Sequence, residues 1–309
     1  MEKHYLGVDI GGTAVKLGVV DAFGHVGIMD EVSVSFDNYQ TPIMDTVSGA
    51  IDRFLQKNDI EKAQLAGVGV SATGQVDSAK GLVAGTCGNL LGWSGTDIRA
   101  RLEKQLALPV TVANDANCMC LGEVWAGAAK GYTDVIGVTI GTGVGGGILA
   151  GGKLLEGRRG LGGELGHFPI HAKDGVKCTC GNIGCWERYA STSALVRAAK
   201  TMDKTLENGR VIFEAAHQGR ADVLALLDGW TDEIAAGLIG LTHIFNPQII
   251  LIGGGVSLQQ ELLIEPLRKK VMSGVMPAFA EGLELRAASL GNDAGLVGGV
   301  YYFRTQMGE

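Results

Sequence analysis

The chain has 309 residues, 46% hydrophobic and 19% charged, with a formal net charge of −7. This length predicts two domains, and the acidic balance argues against a nucleic-acid or anionic-membrane partner. There is no apolar run of the roughly 18 residues that span a bilayer, no signal-peptide pattern at the start, and no cysteine spacing typical of disulfides. We therefore expect a cytoplasmic protein with no membrane partner.

Glycine stands out in the composition. It accounts for 49 of the 309 residues, more than double the usual share of about 7%. The glycines follow no Gly-x-y period, and they cluster where strands turn. This distribution indicates a backbone that wraps closely around ligands.

The first part of the chain predicts a strand, a glycine turn and a second strand. Tyr5 to Ile10 is an apolar run, Gly11-Gly12-Thr13 follows it, and Val15 to Val20 resumes the strand pattern. Apolar spacing and end signals then predict helices at 41–58, 96–106 and 115–129, with strands at 65–70 and 110–113.

The opening pattern recurs in the second half. Gly7-Val-Asp-Ile-Gly11 reappears 130 residues later as Gly137-Val-Thr-Ile-Gly141, and a third strand ends in Gly253-Gly-Gly255. Such a repeat predicts two related α/β halves facing a common cleft. We expect the final helix, from residue 293, to dock on the first half. The expected domains are therefore 1–113 plus 293–309, and 114–292.

The glycine turns are candidate phosphate sites, because tight turns bring several backbone N–H groups to one point. Asp9, at a strand end, is placed to hold a magnesium ion, and the hydroxyls of Thr13 and Thr142 can donate to phosphate. The string Gly141-Thr-Gly143-Val-Gly-Gly146 runs into a strand, whereas a dinucleotide fingerprint opens a helix. Ordinary hairpin turns are the alternative, but three separate glycine turns favour nucleotide phosphate.

Asn114-Asp115 lies where a predicted strand meets a helix. Asp115 could be the N-cap of that helix, or it could be a general base that takes a proton from an attacking hydroxyl. One residue can do both, and sequence position alone leaves both roles open.

A cluster of metal-ligand types follows. His167, Cys178, Cys180 and Cys185 have the ligand types and number of a closed tetrahedral zinc site. The alternative is a set of buried thiols beside an unrelated histidine, but three of the six cysteines lie within eight residues. Two carboxylates, those of Glu164 and Glu187, flank the cluster, which we interpret as a metal-stapled loop.

Four motifs together resemble the ROK family (repressors, open reading frames, kinases). They are Asp9-Ile-Gly11-Gly-Thr13, Gly141-Thr-Gly-Val-Gly-Gly146, Glu164-Leu-Gly-His167 and Cys178-Thr-Cys180-Gly-Asn-Ile-Gly-Cys185-Trp-Glu187. The resemblance covers essentially the whole chain. It implies an α/β fold of two ribonuclease-H-like domains, of the actin and hexokinase superfamily, around a central cleft. It also implies ATP bound in that cleft, a hexose as phosphoryl acceptor and a homodimer.

The resemblance assigns roles residue by residue. Asp115 is similar to the catalytic base of the family, and His167, Cys178, Cys180 and Cys185 to the ligands of its structural Zn²⁺. The implied sugar ligands are Asn89, Asn114, Asp115, Glu164, His167 and Glu187. The implied ATP-binding residues are Asp9, Gly11, Gly12, Thr13, Thr142, Gly143 and Gly145, with Gly254 and Gly255 in the adenosine motif.

These observations predict a kinase that uses ATP and Mg²⁺ to phosphorylate the 6-hydroxyl of a hexose. Glucose or an N-acetylhexosamine, such as N-acetylmannosamine or N-acetylglucosamine, is the expected substrate. The alternative is a sugar-sensing regulator of the ROK repressor type. The first motif starts at residue 9, where we expect no room for a DNA-binding domain, and Asp9 and Asp115 favour catalysis over a catalytically dead sensor. The choice of sugar stays open.

Overall fold

A computed structural model describes residues 3–86, 90 and 92–309, and the chain divides into two compact units. The first unit comprises Met1–Gly131, Leu154–Gly163 and Leu290–Glu309, and the second comprises Tyr132–Lys153 and Glu164–Ser289. Each unit has a five-stranded sheet and a buried hydrophobic core of its own.

The strands of both units are short. They are β1 (His4–Ile10), β2 (Ala14–Asp21), β3 (Val26–Ser33), β4 (Leu65–Ala72), β5 (Gln75–Asp77), β6 (Leu82–Gly85), β7 (Val110–Asn114), β8 (Val135–Ile140), β9 (Val144–Ala150), β10 (Lys153–Leu154), β11 (Ile249–Gly253) and β12 (Glu284–Ala287).

The helices vary more in length. They are α1 (Ile43–Lys57), α2 (Ile98–Leu106), α3 (Asp115–Ala126), α4 (Glu187–Ala190), α5 (Thr192–Met202), α6 (Gly209–His217), α7 (Ala221–Phe245), α8 (Glu265–Gly274), α9 (Pro277–Ala280) and α10 (Ala294–Met307). In the part of the chain that the structure describes, none is long and apolar enough to cross a membrane.

The two sheets share one topology. Their strand orders are β3-β2-β1-β4-β7 and β10-β9-β8-β11-β12. In each sheet a hairpin, β1–β2 or β8–β9, is antiparallel, and its first strand pairs in parallel with the next one, β4 or β11. The sequence repeat is therefore a repeat of structure, and the prediction of two related α/β halves is confirmed.

Most predicted elements are present within a few residues of the expected ends, but β3 and the β5–β6 hairpin were not predicted. The β3 strand has no buried residue. Because its side chains need not be apolar, the sequence shows no clear alternation there.

We expected the first domain to end at residue 113, but the first unit continues to Gly131. The α3 helix belongs to the first unit and packs along α10. The two helix backbones come so close that a Cβ atom on Gly298 would lie 1.7 Å from the carbonyl oxygen of Cys118. A Cβ on Gly69 of β4 would likewise lie 2.2 Å from the Gly299 oxygen. This glycine seam fixes α10 against both α3 and the first sheet.

Alanine substitutions should change stability in opposite directions at two helical glycines, one in this seam and one outside it. Gly298→Ala should destabilise the protein by about 1–3 kcal/mol, because the backbone it meets cannot move aside easily. Gly229→Ala in α7 has nothing within 4 Å of its new Cβ and should stabilise the protein by up to about 1 kcal/mol. Thermal unfolding of the two variants tests this, and equal midpoints would contradict it.

Candidate active site

In the first unit, parallel strands bring the predicted residues to one sheet edge. Asp9 on β1 is in register with Ser71 on β4, which is in register with Ala113 on β7. The carboxyl ends of the three strands therefore lie together, and α3 begins one residue after β7 reaches Asn114. Two strand spacings of about 4.8 Å separate the rows of Asp9 and Ala113.

Asp9 is a half-buried carboxylate that accepts one hydrogen bond from the described residues. The Ser71 hydroxyl donates to its Oδ1 at 2.6 Å, and no donor reaches Oδ2 from the described residues. The first turn of α10 leaves room for it, since a Cβ on Gly295 would lie 2.5 Å from the Asp9 Cγ. Burial raises the pKa of Asp9. A half-buried carboxylate at a strand end, with one oxygen free of donors from the described residues, suits a bound cation such as Mg²⁺.

The turn after Asp9 has unused donors. Gly11 N donates to Ala14 O at 2.9 Å, whereas the N–H groups of Gly12 and Thr13 donate to no protein atom within residues 3–86, 90 and 92–309. Free N–H groups in a tight turn form an anion site. Residues 11–13 therefore have the geometry expected of a phosphate turn.

Asn114, not Asp115, caps α3. The Asn114 Oδ1 accepts from Ala116 N at 2.9 Å and from Asn117 N at 3.2 Å. Its amide nitrogen donates to Gly74 O and to Asp115 Oδ1, both at 2.9 Å. The cap role considered for Asp115 is thus held by its neighbour, and the cap also orients the Asp115 carboxylate.

In the second unit, the corresponding turn and the adenosine motif lie together. Gly141 N donates to Gly143 O at 3.0 Å, which closes a turn one residue shorter than that of residues 11–14. Gly254 approaches the end of β8 so closely that a Cβ would lie 2.2 Å from Ile140 O. Gly145 lies one residue inside β9, opposite Thr139.

A cavity of about 1010 Å³ opens beside these turns. Thr142 and Gly255 line it, together with residues of α5 and α6 such as Lys200 and Phe213. Its volume is at the upper end of the range for small-molecule sites. The sequence did not predict that residues of α5 and α6 line this cavity. An amphipathic helix has no sequence motif that shows which cavity it lines.

The two carboxylates and the histidine predicted to meet sugar are neighbours in the second unit. The His167 ring lies between them, with Nε2 3.8 Å from Glu164 Oε2 and Nδ1 3.9 Å from Glu187 Oε1. A Cβ on Gly143 would lie 2.8 Å from Glu187 Oε2, so the second turn contacts this group. Burial raises the pKa of Glu164.

The predicted metal ligands are gathered at one point. One ligand atom each from His167, Cys178, Cys180 and Cys185 lies within 4.8 Å of the other three. The His167 Nδ1 is 3.6 Å from Cys178 Sγ, and the Cys180 and Cys185 sulfurs are 3.5 Å apart. Tetrahedral zinc has bonds of about 2.3 Å to sulfur and about 2.05 Å to nitrogen. Such bonds place a nitrogen and a sulfur ligand about 3.6 Å apart and two sulfur ligands about 3.8 Å apart. The four side chains fit that ion.

Local pairing shapes this loop. Pro169 bridges to Cys185, and Lys177 bridges to Ile183. Gly184 has φ +75° and lies so close to the His171 carbonyl that no side chain would fit. Beyond the loop, the buried Trp186 indole donates to Glu233 O at 2.9 Å. The loop end that carries Cys185 and Glu187 is therefore anchored in the core.

Asn89 lies outside the described residues, so its place in the site stays a prediction. His171, which is near the cysteines in sequence, lies outside the four-ligand cluster and instead bonds Glu233 Oε2 at 2.9 Å.

Comparison with known proteins identifies the class. The ROK family model matches residues 5–306. A glucokinase of Halalkalibacterium halodurans is 33% identical over 99% of this chain and 96% of its own length. The crystal structure of a ROK glucokinase from Streptomyces griseus, in complex with glucose and AMPPNP, is 34% identical and matches with a TM-score of 0.80, over 96% of this chain and 97% of its own. A xylose repressor of Bacillus subtilis is 29% identical over 96% of this chain and 75% of its own length.

The chain belongs to the ROK family. The predicted actin- and hexokinase-like two-domain fold is confirmed, and the enzyme class is that of the ATP-dependent sugar kinases.

The assignment of the helix cap predicts unequal effects on stability. Asn114→Ala should lower the free energy of unfolding by about 1 kcal/mol or more, because it removes the cap. Asp115→Ala should change it by less, since a carboxylate in the first turn contributes about 0.3–1 kcal/mol through the helix dipole. Thermal unfolding measures both, and a larger loss for Asp115→Ala would contradict the assignment.

Proposed function

We propose that this enzyme transfers the γ-phosphoryl group of ATP to the 6-hydroxyl of glucose or of an N-acetylhexosamine. The observation that carries the proposal is the pair of matching strand–turn–strand hairpins. In the first, the N–H groups of Gly12 and Thr13, which donate to no atom of the described residues, follow the half-buried carboxylate of Asp9. The glucokinase relatives and the complex with glucose and AMPPNP support the choice of substrates.

Asp115 is the proposed general base. A sugar hydroxyl is a poor nucleophile until its proton has an acceptor, and a positioned carboxylate supplies one. Asn114 holds this carboxylate through the bond from its amide nitrogen to Asp115 Oδ1. All four hydrogen-bonding positions of the Asn114 amide are in use within the protein. This favours a role for Asn114 in orienting the base, and the sugar contact that the family resemblance implies would replace one of these bonds.

Each unit has one proposed phosphate turn. The N–H groups of Gly12 and Thr13 in the first unit, and the turn at Thr142–Gly143 in the second, donate to phosphate oxygens. Asp9 would hold Mg²⁺ directly or through water. When bound, that ion offsets the negative charge that phosphoryl transfer leaves on the phosphate oxygens. Gly254 and Gly255 let the backbone approach the adenosine.

Glu164, His167 and Glu187 are the proposed sugar ligands of the second unit. Two carboxylates beside an imidazole offer several acceptors to a polyhydroxyl ring. None of these three side chains is a lysine or an arginine that would bind an anionic acceptor. The set therefore favours a neutral sugar. The remaining proposed ligand is Asn89.

The cysteine cluster is proposed to hold a structural zinc ion. His167 would be a metal ligand through Nδ1, which faces Cys178, while its Nε2 faces Glu164. Zinc would therefore fix the imidazole and the loop that carries Glu187, and through them the sugar site.

A panel of sugars tests the proposed activity. ATP consumption should be saturable with glucose or an N-acetylhexosamine among glucose, mannose, fructose, allose, N-acetylglucosamine and N-acetylmannosamine. Saturable turnover of a nucleoside, glycerol or a carboxylic acid, with none on any hexose, would contradict the proposal.

Replacement of Asp115 by asparagine tests the base. Asp115→Asn keeps the side-chain size but removes the proton acceptor, so turnover should fall by roughly 10²–10⁴-fold. Sugar affinity should change little, because an amide can still hydrogen-bond the 6-hydroxyl. Steady-state kinetics and sugar binding at equilibrium provide the two measurements.

Asp97→Asn is the matched control. Asp97 caps α2 by accepting from Ala100 N at 2.9 Å, and asparagine caps a helix equally well. This variant should keep parental activity. Near-parental turnover in a well-folded Asp115→Asn protein would remove the catalytic assignment.

The zinc proposal predicts coupled losses. Cys180→Ser should lower bound zinc, thermal stability and sugar affinity together, because metal binding contributes directly to the folding of its loop. Elemental analysis, thermal unfolding and sugar titration measure the three effects. His171→Asn should retain zinc. If the purified parent contains no zinc and Cys180→Ser behaves like it, the cluster is only packing.

A further inference from the structure

The segment that runs from Ser33, the last residue of β3, to Thr41 contacts the first phosphate turn. Its backbone and side chains donate hydrogen bonds to two carbonyl oxygens of that turn, those of Gly12 and Thr13. Val34 N donates to Thr13 O at 2.9 Å, and the Ser33 hydroxyl donates to the same oxygen at 3.3 Å. The Tyr39 hydroxyl donates to Gly12 O at 2.7 Å.

This segment contains unusual backbone. Asn38 and Tyr39 are consecutive and have φ values of 57° and 61°, in the left-handed region. Asparagine tolerates this region, but it is uncommon for a residue as bulky as tyrosine. Such conformations persist where the surrounding contacts hold them, and they cluster at functional sites.

Specific contacts hold the segment in this shape. Asp37 Oδ2 accepts from both the backbone N–H and the hydroxyl of Thr41, at 2.8 and 2.6 Å. Asn38 N donates to Ser35 O at 3.1 Å. The Tyr39 ring packs against the core of the first unit, so its hydroxyl is presented to Gly12 by a fixed ring.

We propose that Tyr39 is a positioning residue for nucleotide phosphate, acting through the Gly12–Thr13 peptide. In a trans peptide the carbonyl and the following N–H point in opposite directions. Anchoring Gly12 O therefore fixes the direction of the Thr13 N–H, which has no protein partner within the described residues. The strained segment sets this donor in place before the nucleotide binds.

The inference rests on the proposed function, because it assigns the Thr13 N–H to a phosphate oxygen. A donor held in place loses less freedom on binding than a mobile one. Without the hydroxyl the peptide can rotate. Removing one such hydrogen bond should weaken nucleotide binding by about three- to tenfold.

Tyr39→Phe tests the inference, because it deletes only the hydroxyl and retains the ring. Calorimetric titration with AMPPNP and Mg²⁺ should show the three- to tenfold loss, and the KM for ATP should rise similarly. The KM for the sugar and the midpoint of thermal unfolding should stay close to parental values. Tyr5→Phe is the matched control, because the Tyr5 hydroxyl in the same unit donates to Glu309, beyond the N-terminal end of β1.

The outcomes separate this inference from the proposed function. Parental AMPPNP affinity in Tyr39→Phe would overturn the role of Tyr39 alone, as would equal increases in the KM values for ATP and sugar. A parent that binds no AMPPNP would overturn both the proposed function and this inference. A loss of affinity in Tyr5→Phe as large as in Tyr39→Phe would show a general effect on stability and would also overturn it.

Discussion

Parallel strand register is the constraint on which the rest of the first unit depends. Because β1, β4 and β7 run in the same direction, their carboxyl ends meet at one edge, where Asp9, Ser71 and the start of α3 follow. A slip of one residue between β1 and β4 would move Asp9 to the opposite face from Ser71. The same arrangement of β8 and β11 brings the Gly141 turn and the glycines after Ile252 together in the second unit.

Glycine connects stability to function in this fold. Gly298 and Gly69 let α10 lie on α3 and β4 without intervening side chains, and Gly295 on the same helix makes room for the Asp9 carboxylate. One helix is thus held by the core and shapes the proposed Mg²⁺ site. The burial that raises the pKa of Asp9 is a consequence of this close packing. The high glycine content reflects helix packing as much as ligand contact.

Local patterns made much of this architecture predictable from the sequence. The apolar run before Gly11 and its repeat before Gly141 each predict the hairpin that they form. The spacing from His167 to Cys185 likewise predicts a four-ligand cluster. The rest depends on contacts between distant residues. Nothing around residue 114 shows that α3 packs on a helix 180 residues later, and either Asn114 or Asp115 can cap a helix in isolation. The role of Tyr39 depends on the backbone of Asn38 and Tyr39, which no sequence pattern indicates.

The position of the phosphate on the product distinguishes phosphorylation of the 6-hydroxyl from every other transfer. After incubation of the enzyme with ATP, Mg²⁺ and the preferred sugar, phosphorus–proton correlation NMR identifies the oxygen that carries the new phosphoester. We expect a 6-phosphate formed in equal amount to ADP. A phosphate on the anomeric oxygen, or ADP released with inorganic phosphate and no sugar phosphate, would contradict it.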